Sequence, residues 1–121
     1  MKRVVITGLG AVTPLGNNVK DFWENSITGK SGANRISRFD AEKFKLNFAC
    51  EVKDFDPKKY LSSSEIKRSD LFTQFALYST TEAIGDSGLE IEAMNPFDIG
   101  VVWGTGQGGM WTFEKEVMDF A

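Results

Sequence analysis

Two apolar runs, each followed by a glycine-rich loop and an amphipathic helix, constrain this chain's fold more than any other feature. The runs at residues 3–7 and 97–103 are rich in β-branched side chains and predict buried strands. Glycines at 8–16 and 104–109 predict loops after them. Because strands that alternate with helices build α/β proteins, the sequence predicts an α/β fold with a largely parallel sheet.

Helix boundaries in the first half of the chain are marked by capping residues. Asn18 is a suitable N-cap, and Gly29 is suited to end the helix. The apolar residues of that helix recur at helical spacing: Val19, Phe22, Trp23 and Ile27. Residues 48–52 predict a short strand, and Asp56 before Pro57 predicts a short helical turn.

Stronger helix signals follow in the second half. Ser62 and Glu65 have the spacing of a capping box. Residues 70–87 hold a helical period that Gly88 ends, and residues 110–121 form a further amphipathic stretch.

The last helix lacks a stop signal, since no glycine, proline or closing strand follows Ala121. Two strands are too few for the predicted sheet, so residues 1–121 are expected to be a truncated domain. Its apolar faces would then be patterned to pack on residues outside this sequence. We therefore expect the chain to expose a large apolar patch and to associate.

Composition limits the possible functions. The 121 residues suffice for one domain at most, and a net charge of −3 gives no reason to expect nucleic-acid binding. No stretch approaches the roughly 20 apolar residues that cross a bilayer. The apolar run after Met1 is too short for a signal peptide, so it predicts the first strand of a cytoplasmic protein.

The chain has no histidine and a single cysteine, Cys50. This excludes Ser-His-Asp and Cys-His machinery, an internal disulfide and multi-cysteine metal sites within these residues. Cys50 lies among apolar residues beside the acidic Glu51, and an acidic neighbour does not favour a thiolate. The sequence predicts that Cys50 is a buried structural cysteine.

The sharpest functional alternative is a nucleotide-binding module. Gly104, Gly106 and Gly109 match the dinucleotide-binding pattern Gly-x-Gly-x-x-Gly, in which backbone N–H groups cradle a pyrophosphate at a helix N-terminus. The acidic residue that such a site requires roughly 20 positions later would lie beyond Ala121. The other interpretation is a tight structural turn. Residues 8–13 are an incomplete version of the pattern, explained by turn glycines with positive φ.

Four basic residues precede the long helix. Lys67 and Arg68, with Lys58 and Lys59 before them, are either a solvated edge or a docking patch for an acidic partner, as in a non-catalytic interaction module. Several aromatic side chains have helical spacing and are predicted to be core: Phe22, Trp23, Phe72 and Phe75.

Taken in order, the motifs resemble the opening of elongating β-ketoacyl-acyl-carrier-protein synthases. The resemblance runs the whole length of this chain and covers less than a third of the family's chain. It rests on Val4-Val5-Ile6-Thr7-Gly8-Leu9-Gly10, Thr13-Pro14-Leu15-Gly16, Phe22-Trp23, Gly29-Lys30-Ser31-Gly32, Arg38-Phe39-Asp40, Phe48-Ala49, Val52-Lys53-Asp54-Phe55-Asp56, Lys67-Arg68-x-Asp70, Asp86-Ser87-Gly88-Leu89 and the 104–109 loop.

The resemblance implies a thiolase fold of two similar α/β halves in five layers, of which this chain would be the first part, and a homodimer. It implies a decarboxylating Claisen condensation by one cysteine and two histidines, with acyl carrier protein as partner and no nucleotide or metal in the chemistry. None of these three residues matches a position here, so the chain alone is expected to be an inactive scaffold.

Two sets of residues carry over from the family. Lys67 and Arg68 match basic residues that help to bind acyl carrier protein, and Ser64 stands where a basic residue is often found. Gln107, between Gly106 and Gly108, matches a commonly aliphatic position that borders the acyl pocket near the dimer interface. An unpaired amide there would cost about 1–3 kcal/mol, so the resemblance does not assign an acyl chain length to this chain.

Overall fold

The computed structural model describes residues 3–121, so Met1 and Lys2 lie outside the described residues. Short helical turns of the 3-10 type cover Pro57–Lys59, Ile91–Ala93 and Pro96–Asp98. The helices and strands, in chain order, are α1 (Val19–Ile27), β1 (Ala33–Arg35), β2 (Phe48–Cys50), α2 (Ser63–Arg68), α3 (Leu71–Ser87) and α4 (Met110–Phe120).

The helices begin and end where capping residues predict. The Asn18 side chain accepts a hydrogen bond from the N–H of the third residue of α1, at 2.8 Å. Ser62 and Glu65 form the predicted capping box, with the Glu65 carboxylate 2.7 Å from the Ser62 nitrogen. Gly29 and Gly88, with φ of 71° and 66°, follow α1 and α3 in the left-handed conformation that glycine adopts without strain.

Few side chains of the described residues are buried, and the aromatic ones pack around Tyr78 of α3. Tyr78 is 4% exposed, while Ala41 and Leu61 are each 6% exposed. The Tyr78 ring packs edge-to-face against Tyr60 and at a tilt against Phe55, with centroids 4.6 Å and 5.1 Å away. This small core holds the 3-10 turn of Pro57–Lys59 against α3.

Two carboxylates of α3 hold the first glycine loop. Glu82 accepts hydrogen bonds from the Ala11 nitrogen at 2.9 Å and the Val19 nitrogen at 3.0 Å. Asp86 accepts one from the Leu9 nitrogen at 2.9 Å. Backbone donors that no strand or helix satisfies are therefore paired with charged acceptors, the stronger class of hydrogen bond.

Gly8 and Gly10 let this loop lie directly on the α3 backbone. A Cβ at Gly10 would overlap the Ser79 carbonyl oxygen and lie 3.0 Å from the Ala83 nitrogen. A Cβ at Gly8 would lie 2.7 Å from the Ser87 nitrogen. The sequence attributed these glycines to positive φ, and that reason is wrong because neither has a positive φ. Close approach to the helix is the reason.

The two buried strands expected at residues 3–7 and 97–103 are not formed. Both segments are exposed and belong to no strand: Val4 is 95% and Val102 is 99% exposed. A strand needs a neighbour that pairs its backbone N–H and C=O groups, and neither segment has one among residues 3–121.

The sheet found in the described residues is antiparallel and two-stranded, not largely parallel. β1, which the sequence did not predict, pairs with β2 in the register Ala33 to Cys50. β2 ends at Cys50, short of the predicted 48–52. Cys50 is exposed, so its prediction as a buried cysteine is wrong. Trp23, predicted as core, is 62% exposed.

None of the helices formed by the described residues is long and apolar enough to span a membrane.

Candidate functional site

The site predicted from the sequence begins at the corner between α2 and α3. Gln74, in the second turn of α3, donates hydrogen bonds to the Ile66 carbonyl at 3.1 Å and the Ser69 carbonyl at 3.0 Å. These bonds satisfy carbonyls at the end of α2, which have no partner within that helix. Gln74 thus fixes the direction in which the last turn of α2 leaves the corner.

Lys67 and Arg68 are exposed in this last turn of α2. Cations at a helix C-terminus complement the helix dipole, so the turn favours both side chains. Ser64, the position at which the family often has a basic residue, is exposed near the start of the same helix.

Lys58 and Lys59 lie on a neighbouring element, because their 3-10 turn packs against α2 and α3. The Lys59 ammonium lies 4.8 Å from the centroid of the Tyr60 ring. The interaction with the Tyr60 side chain raises the pKa of Lys59 above its ordinary value of 10.5. The structure therefore presents basic residues from two touching elements on this part of the surface.

The second glycine loop, residues 104–109, leads into α4. Gly108 has a φ of 63°, and its nitrogen donates to the Thr105 hydroxyl at 3.1 Å. A Cβ on Gly108 would lie 3.9 Å from the Phe72 ring, so this loop also reaches α3. Gln107 is exposed, and Gly106 faces open space.

Asp70 joins this loop to the α2–α3 corner. One carboxylate oxygen accepts a hydrogen bond from the Leu71 nitrogen at 2.6 Å, at the start of α3. The other accepts a hydrogen bond from the Thr112 hydroxyl, in the first turn of α4. A Cβ on Gly109 would overlap that second oxygen, so the backbone before α4 lies directly against the carboxylate.

This arrangement bears on the nucleotide-binding alternative. The loop precedes a helix, as the pattern requires, but it follows no strand. The Asp70 carboxylate already lies at the N-terminal end of α4, where a pyrophosphate would have to bind. Two anions so close would repel each other, and the loop is therefore better explained as a structural turn.

The structure places the two predicted sets of site residues near Asp70, whose contact with Thr112 sequence reasoning missed. Lys67 and Arg68 precede Asp70 along the chain, and the loop around Gln107 ends against it. Sequence analysis placed Asp70 at a helix start but did not predict its contact with Thr112. The two residues are 42 positions apart in the sequence, and that separation leaves no periodic signal.

Comparisons with known proteins agree with this organisation. Residues 1–119 match the family model described as Beta-ketoacyl synthase, N-terminal domain. The chain is similar to 3-oxoacyl-[acyl-carrier-protein] synthase 2 of Coxiella burnetii, with 51% identity over 114 residues, 94% of this chain and 28% of that protein. The chain is also similar to the protein of the same name from Synechocystis, with 45% identity over 115 residues. That match covers 95% of this chain and 28% of that protein.

A solved structure shares the backbone arrangement. It is a type II polyketide acyl-carrier protein in complex with its ketosynthase, bound to the hexaketide, with 28% identity and a TM-score of 0.76. The match covers 98% of this chain and 30% of that one. The expected fold class, α/β and the first part of a thiolase-like architecture, is therefore confirmed, although the two predicted buried strands are not formed. The chain spans under a third of the proteins that it matches.

Proposed function

Since the chain belongs to the β-ketoacyl synthase family, we propose that it is the N-terminal part of an enzyme that lengthens fatty acyl chains. The observation that carries the proposal is the family match over residues 1–119. The enzyme would act in the cytoplasm as a homodimer, and its nucleophile segment would follow these residues.

The proposed reaction is a decarboxylating Claisen condensation. A cysteine accepts an acyl group from acyl carrier protein as a thioester. Malonyl-acyl carrier protein loses carbon dioxide, and the resulting carbanion attacks the thioester carbonyl. The new carbon–carbon bond forms as the carbon–sulfur bond breaks, which releases the cysteine thiolate and a β-ketoacyl product two carbons longer than the acyl group.

This chain's residues supply scaffold and recognition in that scheme. They include no histidine, so imidazole groups that assist decarboxylation must come from elsewhere in the protein. The test is to assay the complete protein with acyl- and malonyl-acyl carrier protein. We expect carbon dioxide and the elongated product from the complete protein, and neither from residues 1–121. Absence of product from the complete protein contradicts the proposal.

Acyl carrier protein is the proposed partner of the basic surface at Lys67 and Arg68. Both side chains are exposed at a fixed helix end, as a steering patch for an acidic partner requires. Reversing both charges, Lys67→Glu with Arg68→Glu, should weaken binding about tenfold or more at low salt, and less at high salt. Lys43→Glu with Lys45→Glu, an equal change of charge at other exposed residues, is the control.

Ser64→Arg tests the same surface in the opposite direction. It adds a cation to α2 at an exposed position and should tighten binding of acyl carrier protein by a few-fold. Unchanged affinity in both the charge-reversed and the Ser64→Arg proteins, measured by titration, would remove this helix from the proposed interface.

Gln107, flanked by Gly106 and Gly108, is proposed to border the acyl pocket at the dimer interface. Its support is an exposed position on a loop whose neighbouring Gly106 has open space around it. Gln107→Leu removes a polar amide and should raise kcat/KM for long acyl groups by about tenfold, with a smaller gain for short ones. An identical chain-length profile for both proteins would place Gln107 outside the pocket.

A further inference from the structure

The Asp70 carboxylate has contacts beyond those of an ordinary helix cap. A cap needs one side-chain oxygen, and one oxygen of Asp70 fills that role for α3. The second oxygen receives the Thr112 hydroxyl and lies against Gly109. One carboxylate therefore connects the first turns of two helices that begin far apart in the sequence.

The helix that Asp70 reaches has no N-cap side chain of its own. Gly109 occupies the cap position of α4 and supplies none. A carboxylate near the first turn compensates, since it is attracted to the positive end of the helix dipole. Asp70 thus supplies from α3 the charge that α4 lacks, and it fixes the point at which the 104–109 loop ends.

Phe72, two residues after Asp70, lies near the same loop at Gly108. Its ring lies 3.9 Å from the position that a Cβ on Gly108 would occupy, an ordinary contact distance, so the ring is a neighbour of the loop at this point. Asp70 and Phe72 are two residues apart at the start of α3. Asp70 lies directly against Gly109 and Phe72 lies beside Gly108, so both contacts come directly after Gln107 in the loop.

From this geometry, we propose that Asp70 and Thr112 form a latch that positions Gln107. The latch sets where the loop presents the Gln107 amide, and it thereby sets the acyl chain length that the site accepts. The inference rests on the proposed function for its consequence, but the positioning itself concerns contacts within this chain. Neither residue touches the substrate in this proposal, so both are positioning residues.

The direct test is Thr112→Val in the complete protein. Valine has nearly the same shape but no hydroxyl, so the second oxygen of Asp70 loses its donor. We expect exchange of the Gly108 amide, which donates to Thr105, to accelerate about tenfold, as loss of a hydrogen bond to a charged group predicts. Thr112→Ser keeps the hydroxyl and should restore slow exchange.

Thr81→Val is the matched control. The Thr81 hydroxyl donates to the Leu77 carbonyl within α3 at 2.9 Å and is exposed. Its loss should leave exchange in the 104–109 loop unchanged. If Thr112→Val also leaves loop exchange unchanged, the latch does not exist. Asp70→Asn, which removes the charge and keeps a capping oxygen, gives a second variant should Thr112→Val fold poorly.

A kinetic measurement separates positioning from general stability. Thr112→Val should raise KM for the preferred acyl group several-fold and flatten the chain-length profile, with a smaller change in kcat. A uniform loss of kcat at every chain length overturns the link to Gln107. If the wild-type protein performs no condensation while loop exchange responds as expected, the proposed function fails and the latch stands.

Discussion

The loop at residues 8–19 and the segment at 97–103 lie against the same helix, yet they are held very differently. Glu82 and Asp86 fix the loop through three backbone donors. Residues 99–103 of the segment line a groove of about 440 Å³ with α3, Thr7, Gly8 and Gly10, while the Val102 side chain is 99% exposed. One region is complete within this chain, and the other presents apolar surface that nothing in the described residues covers.

The difference shows which structures a chain can form without partners. A loop anchored by side chains of one helix needs only that helix. A strand needs neighbouring backbone along its whole length, and a β-branched run without it remains exposed. We infer that 3–7 and 97–103 carry sheet-forming sequence for a larger assembly.

The largest expected loss of stability comes from a substitution within the anchored loop. Gly10→Ala places a Cβ onto the Ser79 carbonyl of α3, and backbone atoms cannot rotate away. The free energy of unfolding should fall by about 3 kcal/mol or more, measured by urea denaturation of the complete protein. Gly85→Ala is the control, since its Cβ would meet nothing within 4 Å. It should stabilise α3 by about 0.5–1 kcal/mol.

The next largest loss is expected when one anchoring carboxylate is replaced by an amide of the same shape. Glu82→Gln leaves one carbonyl oxygen for two donors, at Ala11 and Val19, so one partly buried N–H loses its acceptor. We expect a loss of about 2–3 kcal/mol in the free energy of unfolding. Glu92→Gln at an exposed position should change it little. Equal urea midpoints for the two variants would mean that Glu82 does not anchor the loop.

A smaller effect concerns the unanchored region. Val102→Thr replaces a methyl with a hydroxyl on a side chain that is 99% exposed here. In residues 1–121 it should reduce association and leave stability unchanged. In the complete protein, where we expect this face to be covered, it should cost about 1–2 kcal/mol. Sedimentation velocity of residues 1–121 checks the first expectation; a monodisperse wild-type monomer contradicts it.

The smallest effect is electrostatic and local to α2. Hydrogen bonds from Ser62 lower the pKa of Glu65 below its ordinary value of 4.5. The carboxylate therefore stabilises the helix start above pH 4.5, and that contribution is lost as pH falls through the lower folded value. Glu65→Gln should flatten the acid dependence of amide exchange in α2. An unchanged pH profile would show that the capping box contributes little.

Sequence reasoning predicted structure that depends on nearby residues and missed contacts between residues far apart in the sequence. Asn18, Gly29, the Ser62–Glu65 box and Gly88 act within a few residues, and each lies where it was predicted. The Asp70–Thr112 contact spans 42 residues and leaves no mark in composition or period. Cys50 was misjudged for a related reason. Its neighbours are apolar, but whether they are covered depends on packing that a local window does not contain.

Lys67 and Arg68, and the loop around Gln107, were identified by resemblance, not by pattern. Their roles in binding acyl carrier protein and in the acyl pocket therefore remain predictions until the charge-reversal and Gln107→Leu measurements are made. What the structure adds is a physical connection between them through the start of α3.

The anchors on α3 also determine when, during synthesis of the protein, the first glycine loop can be fixed in place. Asp86 lies 77 residues after the Leu9 amide that it binds. Ribosomes add roughly 5–20 residues per second, so the leading loop is synthesised about 4–15 s before its acceptor. During that delay the nascent N-terminus offers unsatisfied amides and an aliphatic run, which are features that chaperones recognise. Variants at Glu82 or Asp86 should lengthen this vulnerable period and lower the yield from translation even where the finished protein is stable.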